Sequence, residues 1–459
     1  MNPYILSLII QFILIGIFIT WFKHSDPIFS LLIISLLLPV PIISFYQRFF
    51  LSDVLAFYYF FKYPAFNMSY LKKNSKIIYI YAFILILLLP FIASLLKVNS
   101  IKHLGDFILH IFRAIMVLTV LKVSMYKYKN NPFLLIKHLR ILSLLWFFLL
   151  VISILQWTNV IDTNFIKYFS DAYGRTYLSG FMGLDKPQIA LFSVVFINIL
   201  LYSSLENWIN RIIYLFLVIL IVTITLLIGS RQGLLYLSLS FLLYIIFSFS
   251  IRNIFKNTAF ILSIILALLY IAANTKGISK TTNYDPLINF VSGKTNISSL
   301  AESRDPLFLD SWLLMISNPE NIVIGNGLGN EAFGYYENNE GVLVKDNSVT
   351  RTYFEGEIFR IMWTNGILGV IIFLIIAIKL IRIGWKNIRK DNIRIVSASR
   401  LLIVLTVLIL LFSFGQFSLF TMNRWNTPFV YFIWWLLGSL ISVITSETQN
   451  SKRKILTEN

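Results

Sequence analysis

Long apolar stretches, repeated along the whole chain, constrain the fold more than any other feature of this sequence. A stretch of about 20 such residues spans a bilayer as a helix, because lipid offers no hydrogen-bond partner to an exposed backbone. Of the 459 residues, 58% are hydrophobic and only 13% are charged, whereas soluble domains carry about 25% charged residues. The sequence therefore predicts an all-α, polytopic integral membrane protein.

The apolar stretches define about twelve predicted membrane helices. They cover residues 4–22, 27–46, 77–96, 104–121, 139–156, 187–204, 212–229, 233–250, 258–274, 359–380, 400–420 and 428–445. The segment 49–61 is rich in Phe and Tyr but short for a span, so we place it in the membrane interface; if it spans, the number of spans changes by one. The first stretch is interpreted as a retained helix, since it lacks a basic region and a small-residue cleavage site.

The distribution of lysine and arginine predicts the orientation of these helices. With the N-terminus in the cytoplasm, 23 of the 39 basic residues lie on the cytoplasmic side, many of them in the short loop 379–400. An even number of spans then places the tail 446–459 in the cytoplasm as well. The formal charge of +18 is thus explained by orientation and by contact with anionic membrane lipids. Because the basic residues interrupt apolar stretches, nucleic acid is not expected as a partner.

Two segments are too long to be simple connections between helices. One is an outer loop near 157–186, and the other is a large outer loop at 275–358, which contains most of the acidic residues. Long loops within a compact protein are usually functional. The chain is therefore predicted to comprise nine membrane helices within 1–274, the large outer loop 275–358, and three membrane helices within 359–445.

Charged residues on the outer side form a first group of candidate site residues. Arg231 lies in Gly229-Ser-Arg-Gln-Gly233 between two apolar stretches, where a guanidinium can bind phosphate in a bidentate manner. A plain helical hairpin with an interfacial arginine explains this spacing equally well. Further charges bracket the large loop: Arg304, Arg351, Glu355, Glu357 and Arg360. Each alone is best explained as an ordinary exposed charge, but their grouping favours a site.

A second group lies within the predicted fourth span. Asp106, His110 and Arg113 follow one another at i, i+4 and i+7, and therefore share one helical face. Charged groups inside a membrane face a cavity or a partner, because lipid does not solvate them. A functional cavity and an internal ion pair that fixes helix packing are equally good interpretations. The chain has no cysteine and only four histidines, which argues against a thiolate or His-rich metal centre.

Several sequence elements, in a fixed order, resemble the superfamily of O-antigen polymerases and O-antigen ligases. Gly180-Phe-Met-Gly183 with Pro187 resembles its loop-to-helix transition, and Gly229–Gly233 resembles its Ser-Arg-Gly signature. Arg304 followed by Trp312 resembles its Arg…Trp element, and Asn318-Pro319 followed by Gly325-Asn-Gly-Leu-Gly329 resembles its Asn-Pro…Gly-x-Gly element. Gly366-Ile-Leu-Gly369 resembles the Gly-Ile-x-Gly start of the helix after its loop. The resemblance covers roughly 175–380 and extends to the number of spans and the large outer loop.

One position separates the two branches of this superfamily. Ligases carry a His-Asn pair eleven residues before the first glycine of the Gly-Ile-x-Gly element. In this chain Glu355 occupies that position, Gly356 follows it, and the large loop contains no histidine. A glutamate there is more similar to the polymerases, so the resemblance favours a polymerase over a ligase.

The resemblance implies a glycosyltransferase with a GT-C-like membrane fold, at the outer face of the bacterial cytoplasmic membrane. The expected substrates are oligosaccharide repeat units on undecaprenyl pyrophosphate, the product is O-antigen of lipopolysaccharide or capsule, and a chain-length regulator protein is an expected partner. Arg231 and Arg304, assisted by Arg351 or Arg360, would stabilise the pyrophosphate leaving group. Glu355, with Glu357 in reserve, would deprotonate the acceptor hydroxyl.

Two other functions, ligase and transporter, are compatible with the sequence. A ligase would transfer finished polymer to a different acceptor, and a flippase or transporter would use Asp106, His110 and Arg113 in a central cavity. A transporter would not need a large outer loop with arginines and acids, which favours an enzyme. No cofactor is expected, and the reaction is expected to be metal-independent, since arginines can stabilise the leaving group. Glu355-x-Glu357 alone is a weak signal for Mg²⁺.

Overall fold

A computed structural model of the chain describes residues 3–22, 26–38, 40–43, 49–63, 68, 71–96, 104–129, 132–157, 186–203, 208–227, 231–247, 322–328, 335–337, 343–345, 357–390, 392–413 and 427–457. These residues are almost entirely helical. The regular strands among them form two short antiparallel pairs.

The helices follow the apolar stretches of the sequence. They are α1 (Pro3–Phe22), α2 (Pro27–Ser35), α3 (Leu51–Lys62), α4 (Lys73–Phe83), α5 (Leu89–Leu96), α6 (Leu104–Lys127), α7 (Pro132–Trp157), α8 (Lys186–Ser203), α9 (Trp208–Leu227), α10 (Arg231–Ile246), α11 (Glu357–Asn387), α12 (Ile393–Phe412) and α13 (Thr427–Thr457). A π-helical segment, Ile84–Leu88, joins α4 to α5. Strand β1 (Pro41–Ile43) pairs with β2 (Phe49–Phe50), and β3 (Tyr335–Glu337) pairs with β4 (Leu343–Lys345).

Six of the described helical segments are long and apolar enough to cross a membrane. They are Lys73–Leu96, Phe107–Lys127, Phe133–Ser153, Glu357–Asn387, Ile393–Leu411 and Pro428–Thr445. Shorter apolar helices lie within α1, α8, α9 and α10. The prediction of an all-α membrane protein is confirmed to this extent. The predicted span 258–274 lies outside the described residues.

The predicted span 27–46 is not one continuous helix. Asp26 caps α2, since its carboxylate accepts a hydrogen bond from Phe29 N at 3.2 Å, and Pro27 occupies the first helical turn. The helix ends at Ser35 after nine residues, and the sequence continues as Leu38-Pro-Val-Pro-Ile42. Proline disfavours a helical residue before it and cannot donate its own amide, so the chain turns into strand β1 instead.

The chain divides into two compact units. Unit 1 comprises Met1–Leu55, Asn131–Ile297 and Gly384–Leu408. Its described core is held by polar contacts between apolar helices: Trp146 on α7 donates its indole N–H to Ser193 Oγ on α8 at 3.2 Å. Asn198 on α8 donates to Ser240 Oγ on α10 at 2.6 Å. Hydrogen bonds of this kind fix helix pairs in lipid, where apolar burial alone does not distinguish a neighbouring helix from the surrounding acyl chains.

Unit 2 comprises Ala56–Asn130, Ser298–Ile383 and Ile409–Asn459. Helices α6 and α13 form its most extensive described helix contact. Gly438 allows this close approach, because a Cβ at that position would meet Leu121 O at 2.7 Å. Ser442 on α13 donates to Met125 O on α6 at 2.6 Å, which fixes the register of the pair. This pair supports α4, which packs against both helices.

Candidate functional site

Helix α11 is broken at Gly366, and this break is the most unusual backbone feature of the described residues. Gly366 has φ +66° and ψ −170°, although helical residues precede and follow it. This conformation is accessible to glycine and to almost no other residue. An interrupted membrane helix leaves backbone groups without intrahelical partners, and these groups must be satisfied by protein or by a water-filled cavity.

The segment Ile322–Leu328 satisfies the backbone groups at the break. Asn326 N donates to Trp363 O at 2.6 Å, and Gly327 N donates to Thr364 O at 2.9 Å. On the other side of the break, Ile367 N donates to Ile322 O at 2.7 Å. The segment therefore runs along α11 as an additional backbone partner.

Two glycines in this segment permit the close approach. Gly325 and Gly327 have φ of +84° and +75°. A Cβ at Gly325 would lie 2.5 Å from the backbone of Thr364, and a Cβ at Gly327 would meet the backbone of Ser94. The glycines are thus required both by the left-handed backbone and by the lack of space.

The π-helical segment and α5 complete the surroundings of the break. Ser94 Oγ accepts a hydrogen bond from Leu328 N at 2.6 Å, and Asn365 Nδ2 donates to Leu85 O at 2.8 Å. Leu85 lies near the middle of the 24-residue span Lys73–Leu96, so the break in α11 lies at about half the depth of this span. π-helical turns are rare and are often found at functional sites.

Asn365 also presents a second polar atom at the break. Its side chain is 4% exposed, and its Oδ1 has no hydrogen-bond partner among the residues that the structure describes. The carbonyl, amide and hydroxyl groups of this junction make a polar region within apolar helices. Polar groups at mid-span in an interrupted helix are typical of binding sites in transport proteins.

Replacement of Asn365 by Ala is expected to destabilise the protein by roughly 1–2 kcal/mol, because the hydrogen bond to Leu85 O would be lost in a buried site. Thermal and denaturant unfolding of the purified protein in detergent measures this loss. Asn74→Ala is the matched control, since Asn74 is exposed on α4, and it is expected to change stability by less than about 0.5 kcal/mol. Equal stability of the two variants would contradict the structural role of Asn365.

Glu357 and Arg360 lie in the first turn of α11. Glu357 is 1% exposed, and Arg360 is half-buried. Their spacing of three residues makes them neighbours on the helix surface. Ile358, which follows Glu357, donates its amide to Ser413 O at 2.9 Å. This hydrogen bond joins the start of α11 to the end of α12. The nine residues from Glu357 to Gly366 correspond to about 13 Å of helix.

The other residues predicted from the sequence fall in several places. Arg231 is the first residue of α10, in unit 1, and its side chain lies outside the described residues. Arg304, Arg351 and Glu355 also lie outside them. In α6, the side chain of Asp106 is likewise not described, whereas His110 is half-buried and Arg113 is fully buried.

The structure brings together two of the elements singled out in the sequence, namely Gly325–Leu328 and the glycine of Gly366–Gly369. Sequence reasoning missed Asn365 and Ser94. The available signal for Asn365 was a polar Thr-Asn-Gly run at 364–366 inside an otherwise apolar predicted span. Comparison with protein-family models and with functionally characterised proteins finds no match to this chain.

Proposed function

We propose that this protein polymerises oligosaccharide repeat units that are linked to undecaprenyl pyrophosphate, at the outer face of the bacterial cytoplasmic membrane. The observation that carries the proposal is the packing of Gly325–Leu328 against the break at Gly366. These are two of the sequence elements that resemble the polymerase and ligase superfamily. Their contact supports the proposal, because the two glycine motifs build one junction in the structure.

The proposed reaction transfers a glycan from its lipid carrier to a second lipid-linked repeat unit. The acceptor hydroxyl oxygen attacks the anomeric carbon, the bond from that carbon to the pyrophosphate oxygen breaks, and a carboxylate takes the hydroxyl proton. Undecaprenyl pyrophosphate leaves with the electron pair of the broken bond. Glu355 is the proposed base and Glu357 the alternative. Both glutamates lie shortly before Gly366 in the sequence. The side chain of Glu357 is buried.

The negative charge that develops on the pyrophosphate requires fixed positive groups. Arginine binds phosphate in a bidentate manner and keeps its charge at any physiological pH. We assign this role to Arg231 and Arg304, with Arg351 or Arg360 assisting. Fixed donors of this kind act more strongly on the transition state than on the ground state, because negative charge develops on the leaving oxygen as its bond to carbon breaks.

The test is chain extension by purified protein from a defined undecaprenyl-pyrophosphate-linked repeat unit, followed on gels. Wild-type protein is expected to give a ladder, and Arg231→Ala and Arg304→Ala are each expected to slow extension by about 10²–10³-fold. Arg389→Ala is the matched control, since Arg389 is exposed near the other end of α11. Extension is expected to survive chelation of divalent cations.

Two results would contradict the proposal. One is the absence of a ladder with folded wild-type protein, and the other is an undiminished ladder with Arg231→Ala and Arg304→Ala. Loss of extension on chelation, with rescue by Mg²⁺, would overturn the arginine mechanism while leaving the polymerase assignment intact.

A transporter of lipid-linked oligosaccharides is the second candidate, because interrupted helices at mid-membrane depth are typical of transporters. Deletion of the gene distinguishes the two functions in cells. Loss of a polymerase leaves single repeat units on the surface glycan, whereas loss of a flippase leaves no such glycan on the surface. If the protein is a ligase, deletion of its gene is expected to leave full-length polymer on the lipid carrier.

A further inference from the structure

One end of unit 2 gathers lysine side chains from three helices, and we name this set the lysine cluster. Its members are Lys62 at the end of α3, Lys72, Lys73 and Lys76 at the start of α4, and Lys127 and Lys129 at the end of α6. The rings of Tyr63 and Tyr126, with centroids 5.2 Å apart, bring the ends of α3 and α6 together. Helix α4 packs against α6, and Lys72 at the start of α4 lies close enough to Lys129 for the two charges to interact.

The ammonium group of Lys72 is held in place within the cluster. Lys72 Nζ donates to Thr445 O on α13 at 3.5 Å, which keeps this side chain against the helices. Burial lowers the pKa of Lys72 below its ordinary value, and the nearby charge of Lys129 lowers it further. Both effects penalise the charged ammonium, and a bound anion would relieve the repulsion between the two lysines.

The sequence that forms these helices is strongly basic. Between residues 54 and 161 the chain contains twelve basic residues and a single acidic one, Asp106. Asp106 lies near the start of α6, about 30 Å along the helix from the cluster at its other end. Beyond Thr445, α13 continues through Glu447 and then through three basic residues, Lys452–Lys454.

Exposed tyrosines lie beside the lysines of the cluster. Tyr58 and Tyr126 are exposed, and Lys62 Nζ lies 5.9 Å from the centre of the Tyr58 ring. Tyrosine next to lysine is typical of the membrane–water interface, where the ring contacts acyl chains and the ammonium reaches the headgroups.

We propose that the lysine cluster binds the phosphate of an anionic phospholipid in the adjacent leaflet and joins α4, α6 and α13 through that headgroup. This site is separate from the junction at Gly366 and does not depend on the proposed polymerase activity. By the predicted orientation, the leaflet is the cytoplasmic one. A lipid is the favoured source of the phosphate because the cluster combines several charges with interfacial aromatic rings.

The test compares purified full-length protein in nanodiscs of neutral phosphatidylcholine and in nanodiscs that also contain phosphatidylglycerol or cardiolipin. Wild-type protein is expected to retain anionic lipid in native mass spectrometry and to unfold at a higher temperature when that lipid is present. The double variant Lys72→Gln/Lys129→Gln is expected to bind the lipid about 25-fold more weakly, which is about fivefold for each lysine removed. In neutral nanodiscs it is expected to be at least as stable as wild type, since a repulsion is removed.

Lys386→Gln/Arg389→Gln is the matched control, because it removes two exposed charges outside the cluster and is expected to bind lipid like the wild type. Equal lipid retention by the wild type and the Lys72/Lys129 variant would overturn the proposal, as would an equal loss in the control. Inorganic phosphate added to neutral nanodiscs is expected to give no stabilisation. If phosphate alone reproduces the effect, the site takes a free anion and the assignment of a lipid is wrong.

Discussion

Gly366→Ala is expected to destabilise the protein by at least about 3 kcal/mol. Two separate costs add at this position. The backbone conformation, with φ +66° and ψ −170°, is one that a residue with a Cβ adopts only under strain. The new Cβ would also meet the carbonyl of Val323, so the helix and the segment Ile322–Leu328 could not both keep their places.

Gly16→Ala serves as the control for this experiment. Gly16 lies inside α1, and a Cβ there would have nothing within 4 Å. Alanine favours a helix over glycine by up to about 1 kcal/mol, so this variant is expected to be unchanged or slightly more stable. Denaturant unfolding in one detergent measures both variants. A Gly366→Ala protein within about 0.5 kcal/mol of wild type would contradict the broken helix.

The membrane helices themselves could be predicted from the sequence because lipid imposes one requirement on every span. A stretch that crosses the bilayer must be apolar and must satisfy its own backbone, so composition alone locates it. The span predicted at 359–380 accordingly lies within α11, Glu357–Asn387. Prediction was less accurate at 27–46, where apolar composition continues past Ser35 but prolines end the helix. Hydrophobicity locates a membrane segment without determining its backbone conformation.

The break in α11 could not be predicted in the same way. A glycine within an apolar stretch is compatible with a continuous helix, and Gly438 in α13 is such a case. Gly366 differs because a segment about 40 residues earlier, Ile322–Leu328, supplies the hydrogen bonds that the break needs. The resemblance predicts that a helix starts at Gly366–Gly369. In the structure α11 begins nine residues earlier, at Glu357, and its part after the break begins at Gly366. Tertiary contacts of this kind are not visible in local sequence patterns.

Glu355→Gln is expected to slow chain extension by about 10²–10⁴-fold without loss of folding, if the proposed polymerase uses this carboxylate as its general base. Glutamine keeps the size of the side chain and cannot take the proton of the acceptor hydroxyl. Glu357→Gln is expected to have a smaller effect, below about tenfold in rate. Its carboxylate is buried in the first turn of α11, where a negative charge stabilises the helix start by about 0.3–1 kcal/mol.

The pH dependence of the rate separates the base from its neighbour. Protonation of the base lowers the rate on the acidic side of the profile, and removal of the base abolishes that dependence in the residual activity. Glu355→Gln is therefore expected to flatten the acidic side, whereas Glu357→Gln is expected to keep it. Glu337→Gln, in strand β3 of the same loop, is the control for loss of one acid. If only Glu357→Gln shows a flat pH profile and a rate loss of about 10²-fold, the base is Glu357. If Glu355→Gln and Glu357→Gln both keep rates within about threefold of wild type, catalysis by a carboxylate is contradicted.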